Sequence, residues 1–300
     1  MTVEKPNGLN IRKFFRAKYL KNVLAFAAII LILIIFLFPV YWTFATSVKG
    51  KAEIFEYPPK MIPSSVSFEN YSAVILGRSN DSVVLSEGSY FKYLLNSLIA
   101  AGSACLVCIF VGSFGAYGLV RLRMSPRGKK NISFWIISTR MMPPIAAAIP
   151  FYIMFKNLKM LDNLWSLIIS YIAFNLPFVI WTLQGFFREV PNEIYEAAKL
   201  DGCGPISSFM RVVLPLSLPG IFTAMIFTFI FSWNEFLFAL ILTGERTKTM
   251  PVVAASMWSA VASRWGEIAT VGITTILPVL ILTLCVQKYF IKGMTFGAIK

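Results

Sequence analysis

Six long apolar stretches dominate this sequence and restrict what it can fold into. Each is close to the roughly 20 residues that an α-helix needs to cross the hydrocarbon core of a bilayer. A helix suits that environment because it satisfies its backbone hydrogen bonds within one segment. The sequence therefore predicts an all-α membrane protein with six transmembrane helices. The stretches are 23–44, 93–120, 132–155, 164–187, 218–242 and 268–291.

Composition supports the membrane and argues against soluble classes. Hydrophobic residues make up 57% of the 300 residues and charged residues 14%, more apolar surface than a soluble fold can bury. The net charge of +14 is compatible with a nucleic-acid binder, but the basic residues lie between apolar stretches, so we expect no nucleic acid. The chain has no histidine, the commonest general base and metal ligand, and we expect no catalytic residue and no metal site.

The second apolar stretch carries a small residue at every fourth position. Such a stripe lets helix backbones approach closely in lipid, where apolar side chains gain little from touching each other. Cys105 and Cys108 have the C-x-x-C spacing of metal and redox sites, but they lie in this apolar run without a second pair. We interpret them as packing residues. The stripe is Ala100, Ala104, Cys108, Gly112 and Ala116.

Basic residues in the connecting segments predict the orientation. Lysine and arginine concentrate on the cytoplasmic side of membrane proteins, and here they concentrate before the first stretch and directly after the second. The first stretch is then a retained signal anchor, both termini are cytoplasmic, and the protein is a multi-pass protein of the bacterial inner membrane. The predicted division is a cytoplasmic arm 1–22, a first transmembrane helix 23–47, a periplasmic loop 48–91, a core 92–291 with a cytoplasmic loop 188–217, and a cytoplasmic tail 292–300.

Prolines interrupt the third, fourth and sixth apolar stretches. A proline in a transmembrane helix is tolerated only where neighbouring helices or a wet cavity satisfy the freed carbonyls, so these positions indicate a packed bundle around a pathway. A shorter apolar run, 252–262, cannot span and predicts a re-entrant or interfacial helix. The prolines are Pro143, Pro144, Pro150, Pro177 and Pro278.

Loop 188–217 predicts a compact pair of helices. Asn192 is a candidate N-cap, and glutamates follow it in the first turns, where the helix dipole favours negative charge. This helix should end near Leu200 because two glycines follow, and Pro205 is placed to begin a second short helix. Pro215 and a further proline should end that second helix. A projection of this kind suits insertion into a groove on a partner protein.

Residues of the same loop match a known signature. Glu196-Ala197-Ala198, Gly202 and Val212-x-Leu214-Pro215 resemble the EAA signature of type I ABC importer permeases, with valine in place of isoleucine. The resemblance runs from about residue 91 to the end. It implies the transmembrane-domain fold of type I ABC importers, in which this loop is a coupling helix docked in a cleft of an ABC ATPase. The coupling residues that it implies are Glu196, Ala197, Ala198, Asp201, Gly202, Leu214 and Pro215.

Three further segments resemble carbohydrate importers of the maltose-permease G-subunit type: Leu176-Pro177-Phe178, 232–236 and 287–300. That resemblance implies a heterodimer with a second, related permease, two copies of an ABC ATPase, and a periplasmic or lipid-anchored solute-binding protein. The chain contains no G-x-x-x-x-G-K-[S/T] motif, so ATP and magnesium are expected on the partner ATPase. This subunit is then a transport protein and no enzyme.

Polar residues inside the apolar stretches are candidates for lining a solute pathway. Such groups are costly in a bilayer and usually face the bundle interior, where a hydroxyl-rich sugar needs donors and acceptors. The alternative is a structural role, in pairing with the partner permease or in snorkelling to the interface. The candidates are Arg140, Trp233, Asn234 and Glu235.

The expected solute is a sugar or oligosaccharide. Within the same architecture, a polyol, glycerol phosphate or an oligouronate is the alternative, although a highly anionic solute predicts more cations in the pathway than Arg140. A secondary transporter, from another class, would normally need inverted repeats and an ion-coupling site, and the sequence shows no internal repeat.

Overall fold

The apolar stretches fold as helices in the computed structural model, which describes residues 8–77, 89–121, 124–258 and 264–296; no β-strand occurs in these residues. The helices are α1 (Gly8–Ser47), α2 (Lys51–Ile54), α3 (Glu69–Ile75), α4 (Ser89–Arg121), α5 (Pro126–Ser138), a 3₁₀ turn (Thr139–Met141), α6 (Pro144–Asn157), α7 (Leu164–Glu189), α8 (Asn192–Leu200), α9 (Pro205–Ser208), a π-helical turn (Phe209–Val213), α10 (Leu214–Leu216), α11 (Leu218–Trp233), α12 (Leu237–Leu242), α13 (Met250–Ser256) and α14 (Trp265–Phe296).

Among the residues that the structure describes, four continuous helices are long and apolar enough to cross a membrane. They are the Lys21–Ser47 part of α1, all of α4 and α7, and the Trp265–Gln287 part of α14. Two bent pairs also qualify: α5 with its 3₁₀ turn bends by 82° into α6, and Pro205–Leu216 bends by 78° into α11. Counting each bent pair as one span gives six candidate spans by length and composition, which confirms the predicted helical membrane fold.

Two of the predicted spans are not continuous helices. Stretch 132–155 contains the 82° bend, because Pro143 is extended at ψ 128° and α6 begins anew at the next proline. Within stretch 218–242, helix α11 ends at Trp233, and a separate helix, α12, begins at Leu237. The prolines inside α7 and α14 do not end their helices. A proline alone therefore does not show where a span breaks.

The core forms where α4 packs against α7 and α11. The alanines of the small-residue stripe and Cys108 are fully buried. A Cβ on Gly112 would lie 2.6 Å from Val179 Cγ1, so the two backbones approach as closely as the stripe predicts. Cys105 and Cys108 are buried free thiols, and Cys105 donates to the carbonyl of Met225. The interpretation of both as packing residues is consistent with this position.

Helix α1 lies at the edge of the bundle. No residue in its most apolar stretch is buried within this chain, and the large side chains between Val23 and Val40 are exposed. Within 21–47, the part of α1 whose side chains are described, burial begins in the last turns, where α1 meets α14 and a Cβ on Gly272 would touch Thr43 at 3.7 Å. The exposed length of α1 therefore faces lipid or another subunit.

Different short helices and connecting segments lie at the two ends of the bundle. One end carries α8 to α10 and the end of α4; we call α8 to α10, residues Asn192–Leu216, the projection. The other, which we call the far end, carries α2, α3, the connection from α6 to α7, and α13. The short helix predicted within 252–262 is α13, which begins at Met250 with that side chain fully buried. Residues 259–263 lie outside the described part of the chain.

Candidate functional site

The projection depends on the backbone conformation of one glycine. Helix α8 ends at Leu200 as predicted, and Gly202 has φ +82°, a left-handed conformation that costs a residue with a Cβ about 1–2 kcal/mol. Pro205 begins α9, also as predicted. The predicted N-cap is wrong: Asn192 is already helical, and its Oδ1 accepts a hydrogen bond from Arg121 Nη1 at 2.6 Å.

The second half of the projection ends between the two prolines that were predicted to end it. Helix α9 continues through the π-helical turn into α10, and the chain turns at Ser217, between Pro215 and Pro219. Pro215 is the second residue of α10, directly after the π-helical turn. Beyond the turn, a Cβ on Gly220 would overlap the ring of Phe186 in α7, so α11 begins in close contact with α7. Leu214 and Pro215 therefore lie at the junction between the projection and a membrane helix.

The outer face of the projection combines acidic and apolar groups. Leu200 is 89% exposed and Ile206 is 70% exposed, whereas Tyr195 and Ala198 are buried against the bundle. Exposed apolar side chains of this size suit a groove on another protein. Sequence reasoning missed Leu200 and Ile206, although apolar residues flanking a glycine turn in a polar loop are a visible signal. The signature residues exposed on the same face are Glu196, Ala197, Asp201 and Gly202.

An aromatic cluster fastens the projection to α4. The rings of Tyr117 and Phe209 lie 4.7 Å apart between centroids, and the Tyr117 hydroxyl donates to the carbonyl of Pro205 at 2.9 Å. The guanidinium of Arg121 lies 4.1 Å from the centre of the Tyr195 ring. Because Tyr117 and Arg121 both belong to α4, these contacts fix the projection directly to a helix that is long enough to cross the membrane.

A buried asparagine joins the two interrupted spans. Arg140, in the 3₁₀ turn before the 82° bend, donates to a carbonyl of α7 at 3.2 Å and to Asn175 Oδ1 at 3.3 Å. Asn175 Nδ2 in turn donates to Ser232 Oγ at 3.0 Å, near the end of α11. The guanidinium also lies over the rings of Phe178 and Phe231, at 5.0 and 4.5 Å. Among the described residues no carboxylate pairs with Arg140.

The other three pathway candidates lie where α11 gives way to α12. Asn234 is exposed, and Glu235 accepts hydrogen bonds from two backbone N–H groups at the start of α12, at 3.0 and 3.1 Å. Trp233 is 2% exposed, and its indole N–H donates to the carbonyl of Thr275 in α14 at 3.2 Å. Non-helical backbone at membrane depth is tolerated where it is buried or lines a wet cavity. In this conformation Asn234 offers its amide at the break, Glu235 caps α12, and Trp233 packs inside the chain.

A carboxylate at the far end anchors the segment after α12. Asp162 Oδ1 accepts hydrogen bonds from Gly244 N at 2.9 Å, Thr247 N at 3.0 Å and Thr247 Oγ1 at 2.7 Å. Asn96 of α4 donates to two carbonyls of the same segment, at 3.0 and 3.1 Å. Burial raises the pKa of Asp162, but the hydrogen bonds from Thr247, Gly244 and Arg246 outweigh it and hold this pKa below its usual value. Sequence reasoning missed this anchor.

Replacing Asp162 with alanine should loosen this segment. Backbone N–H groups lose their acceptor, which costs about 1–3 kcal/mol. Because the pKa is lowered on folding, the carboxylate's contribution is complete above the unfolded pKa of about 4 and is lost as pH falls through the folded value. Limited proteolysis of segment 243–258 should therefore show no change in the wild type between pH 7 and about 5, and faster cleavage in Asp162→Ala throughout that range.

The matched control for this substitution is Glu56→Ala, which removes an exposed carboxylate held only by Lys60 at 2.8 Å. It should leave cleavage of segment 243–258 unchanged. If segment 243–258 were cleaved equally slowly in Asp162→Ala and in the wild type, Asn96 and the other contacts would be sufficient to hold the segment in place without Asp162.

The fold defines a helical membrane protein whose core of long apolar helices carries the projection at one end. The chain belongs to the family of binding-protein-dependent transport system inner membrane components, whose sequence model matches residues 91–296. It is therefore a permease subunit of a binding-protein-dependent ABC importer, a transport protein of the inner membrane with multiple membrane passes. This confirms the predicted class and the resemblance on which it rested.

Relatives along nearly the whole chain support the same family. A trehalose transport system permease protein, SugB of Mycobacterium tuberculosis, is 33% identical and is aligned over 88% of this chain and 92% of its own. A diacetylchitobiose uptake system permease protein, DasC of Streptomyces coelicolor, is 31% identical over 88% and 91%. A trehalose/maltose transport system permease protein, MalG of Thermococcus litoralis, is 30% identical over 95% and 99%.

A solved structure shares the fold. It is a chain of a bacterial ABC transporter involved in the import of the acidic polysaccharide alginate, with a TM-score of 0.65 and 22% identity. The match covers 96% of this chain and 100% of that one. The arrangement of bent and continuous helices described above is therefore that of an ABC importer permease.

Proposed function

We propose that this subunit forms half of the pathway for a sugar or oligosaccharide, and that its projection couples that pathway to an ABC ATPase. The observation that carries the proposal is the projection itself. Four of its signature residues face outwards with Leu200, while its inner side is joined to α4 through Tyr117. These four are Glu196, Ala197, Asp201 and Gly202. A docking face fixed to a membrane helix is the arrangement that converts movement of a partner into movement of the bundle.

The proposed partner at the projection is an ATPase groove with an apolar floor and a basic rim. Leu200 and Ile206 supply apolar anchors, and Glu196 and Asp201 supply negative charge beside them. ATP and magnesium belong to that partner, which is present in two copies. A second, related permease completes the pathway as a heterodimer, and the exposed apolar length of α1 offers surface to lipid or to that subunit.

The proposed orientation places the projection and both termini in the cytoplasm. Lys129, Lys130 and Arg188 lie at the same end of the bundle as the projection, which supports a cytoplasmic assignment for that end. The far end, with Asp162 and the segment that it anchors, is then periplasmic and available to the solute-binding protein. Residues 1–7 of the arm and 297–300 of the tail lie outside the described part of the chain.

A neutral sugar suits the polar groups at the break between α11 and α12. Asn234 Nδ2 donates one hydrogen to the carbonyl of Ile230 at 3.0 Å, which leaves its second hydrogen and the amide oxygen to face a solute. The guanidinium of Arg140, in contrast, is already engaged by Asn175 and two aromatic rings. The relatives named for trehalose, diacetylchitobiose and maltose transport point the same way. Among the described residues, this break offers no comparable set of unpaired cationic side chains to an anionic solute such as an oligouronate.

Uptake by the complete transporter in proteoliposomes tests this proposal. We expect ATP-dependent uptake of a labelled disaccharide or oligosaccharide and none of glycerol phosphate or alginate oligosaccharides. Asn234→Ala should reduce uptake about tenfold, the equivalent of one or two hydrogen bonds. Asn131→Ala, the same change at an exposed position in α5, should not. Uptake of anions in place of saccharides, or uptake without the ATPase, would overturn the proposal.

A further inference from the structure

A cavity of about 860 Å³ lies between α5, α7 and the end of α4, outside the contacts that hold the projection. Its walls are largely apolar and include Phe134, Ile137 and Trp181. Phe134 and Trp181 are themselves exposed, so the cavity opens on the side of the bundle. No carboxylate is among its lining residues. The cations that line it are Lys129, Lys130 and Arg188.

Two buried polar groups that line this cavity have no partner among the described residues. Gln184 is 3% exposed, and its Oε1 accepts from Ser133 Oγ at 2.7 Å and Arg188 Nη2 at 3.3 Å. A guanidinium only donates, so the atom facing Arg188 must be the amide oxygen, and Nε2 points elsewhere. Gln184 Nε2 and Thr182 Oγ1 are both buried, and neither has a partner among the described residues. Unpaired buried groups are costly, and two of them on residues that line one cavity point to an acceptor that enters when these side chains turn towards it.

We propose that this cavity binds the phosphate group of an anionic phospholipid from the cytoplasmic leaflet. Gln184 Nε2, the Thr182 hydroxyl, Lys130 and Arg188 are all able to donate, and a phosphodiester accepts without donating. Lys129 contributes charge, although its ammonium also donates to the carbonyl of Val120 at 2.7 Å. The position next to the last turn of α7 is the level of the headgroups if the proposed orientation holds.

The apolar walls favour a lipid over a soluble anion. A free phosphate would occupy the polar corner and leave the rings of Phe134 and Trp181 uncovered. A phospholipid places its glycerol and first methylene groups on those rings while its phosphate meets the donors. Basic pockets between helices on the cytoplasmic side are suited to anionic headgroups in this way.

Native mass spectrometry of the complete transporter tests the site. Complexes taken from nanodiscs containing phosphatidylglycerol should retain bound lipid, and complexes from phosphatidylcholine nanodiscs should not. Thr182→Val combined with Lys130→Gln should lower phosphatidylglycerol retention about tenfold. Thr182→Val is suitable because the Thr182 hydroxyl makes no hydrogen bond to any residue that the structure describes, so we expect the variant to lose no such bond when lipid is absent. The charge-matched control is Lys156→Gln, an exposed lysine at the far end.

Thermal unfolding separates loss of binding from loss of folding. In lipid-free detergent the double variant should melt at the wild-type temperature, and added phosphatidylglycerol should raise the melting temperature of the wild type only. The proposal fails if both lipids are retained equally, or if the double variant keeps its lipid. If millimolar inorganic phosphate abolished the rise in melting temperature that phosphatidylglycerol causes, the site would belong to a soluble anion, and the proposal would equally be overturned.

Discussion

Replacing Gly202 with aspartate should abolish ATP-driven transport while the membrane helices still insert. Apart from the two residues that flank Gly202, no described residue has an atom within 4 Å of the position of a Cβ there, so we expect no steric clash. Its effect comes instead from the left-handed backbone at φ +82° and from a new charge beside Asp201 on the docking face. A misplaced charge in an interface costs several kcal/mol. We expect uptake to fall below detection and recovery of the ATPase in a pull-down to fall at least about tenfold.

Gly204 provides a matched control for that substitution. It also has open space around it, but its backbone is extended at φ −69°, a conformation that any residue adopts. Gly204→Asp should therefore retain more transport than Gly202→Asp. Glu196→Ala, which removes one exposed carboxylate, should reduce uptake by no more than about fivefold. Wild-type uptake and wild-type ATPase recovery in Gly202→Asp would show that the projection is not the coupling element.

Replacing Tyr117 with alanine should separate ATP hydrolysis from transport. The ring of Tyr117, which belongs to α4, packs against the ring of Phe209 in the projection, and its hydroxyl donates to the carbonyl of Pro205. Its removal leaves a cavity of a kind that typically costs about 3–5 kcal/mol, and it loosens the projection on its inner side. The outer face is unchanged, so the ATPase should still bind. We expect the number of solute molecules transported per ATP hydrolysed to fall more than about tenfold.

Two variants test whether this effect belongs to the connection between α4 and the projection. Tyr117→Phe keeps the ring and loses one hydrogen bond worth about 1 kcal/mol, so the transport ratio should change less than about fivefold. Phe110→Ala removes an exposed ring from the same helix and should leave the ratio unchanged. An unchanged ratio in Tyr117→Ala, with the ATPase still bound, would refute a mechanical role for this tyrosine.

The local features of the projection could be predicted from sequence because each depends on a few neighbouring residues. A glycine accepts positive φ without strain, and a proline begins a helix without losing a needed N–H, so the end of α8 at Leu200 and the start of α9 at Pro205 followed directly. The error at Asn192 has a different cause, because the side chain of Asn192 accepts a hydrogen bond from Arg121, which is distant in the sequence.

Sequence alone determined the class of the protein. The length of the apolar stretches requires a membrane, and the spacing of the EAA residues is typical of a coupling loop. The small-residue stripe on α4 identified a packing face, because in lipid only close backbone approach distinguishes one side of an apolar helix from another. Each of these features is a run or a repeat of residues within one continuous segment, so it can be recognised without knowing the tertiary structure.

Only the tertiary structure decided which polar residues act together. Asn175 and Ser232 lie 57 positions apart, Asp162 and Gly244 82, and Tyr117 and Pro205 88, and no local pattern links the members of these pairs. The unpartnered amide of Gln184 likewise became visible only when its oxygen was seen to face Arg188. The physical reason is that lipid is as apolar as the bundle core, so the hydrophobic pattern of a span does not report which neighbour each face meets. Contacts between residues that are distant in the sequence decide which faces of the helices meet, and therefore which polar side chains lie next to each other.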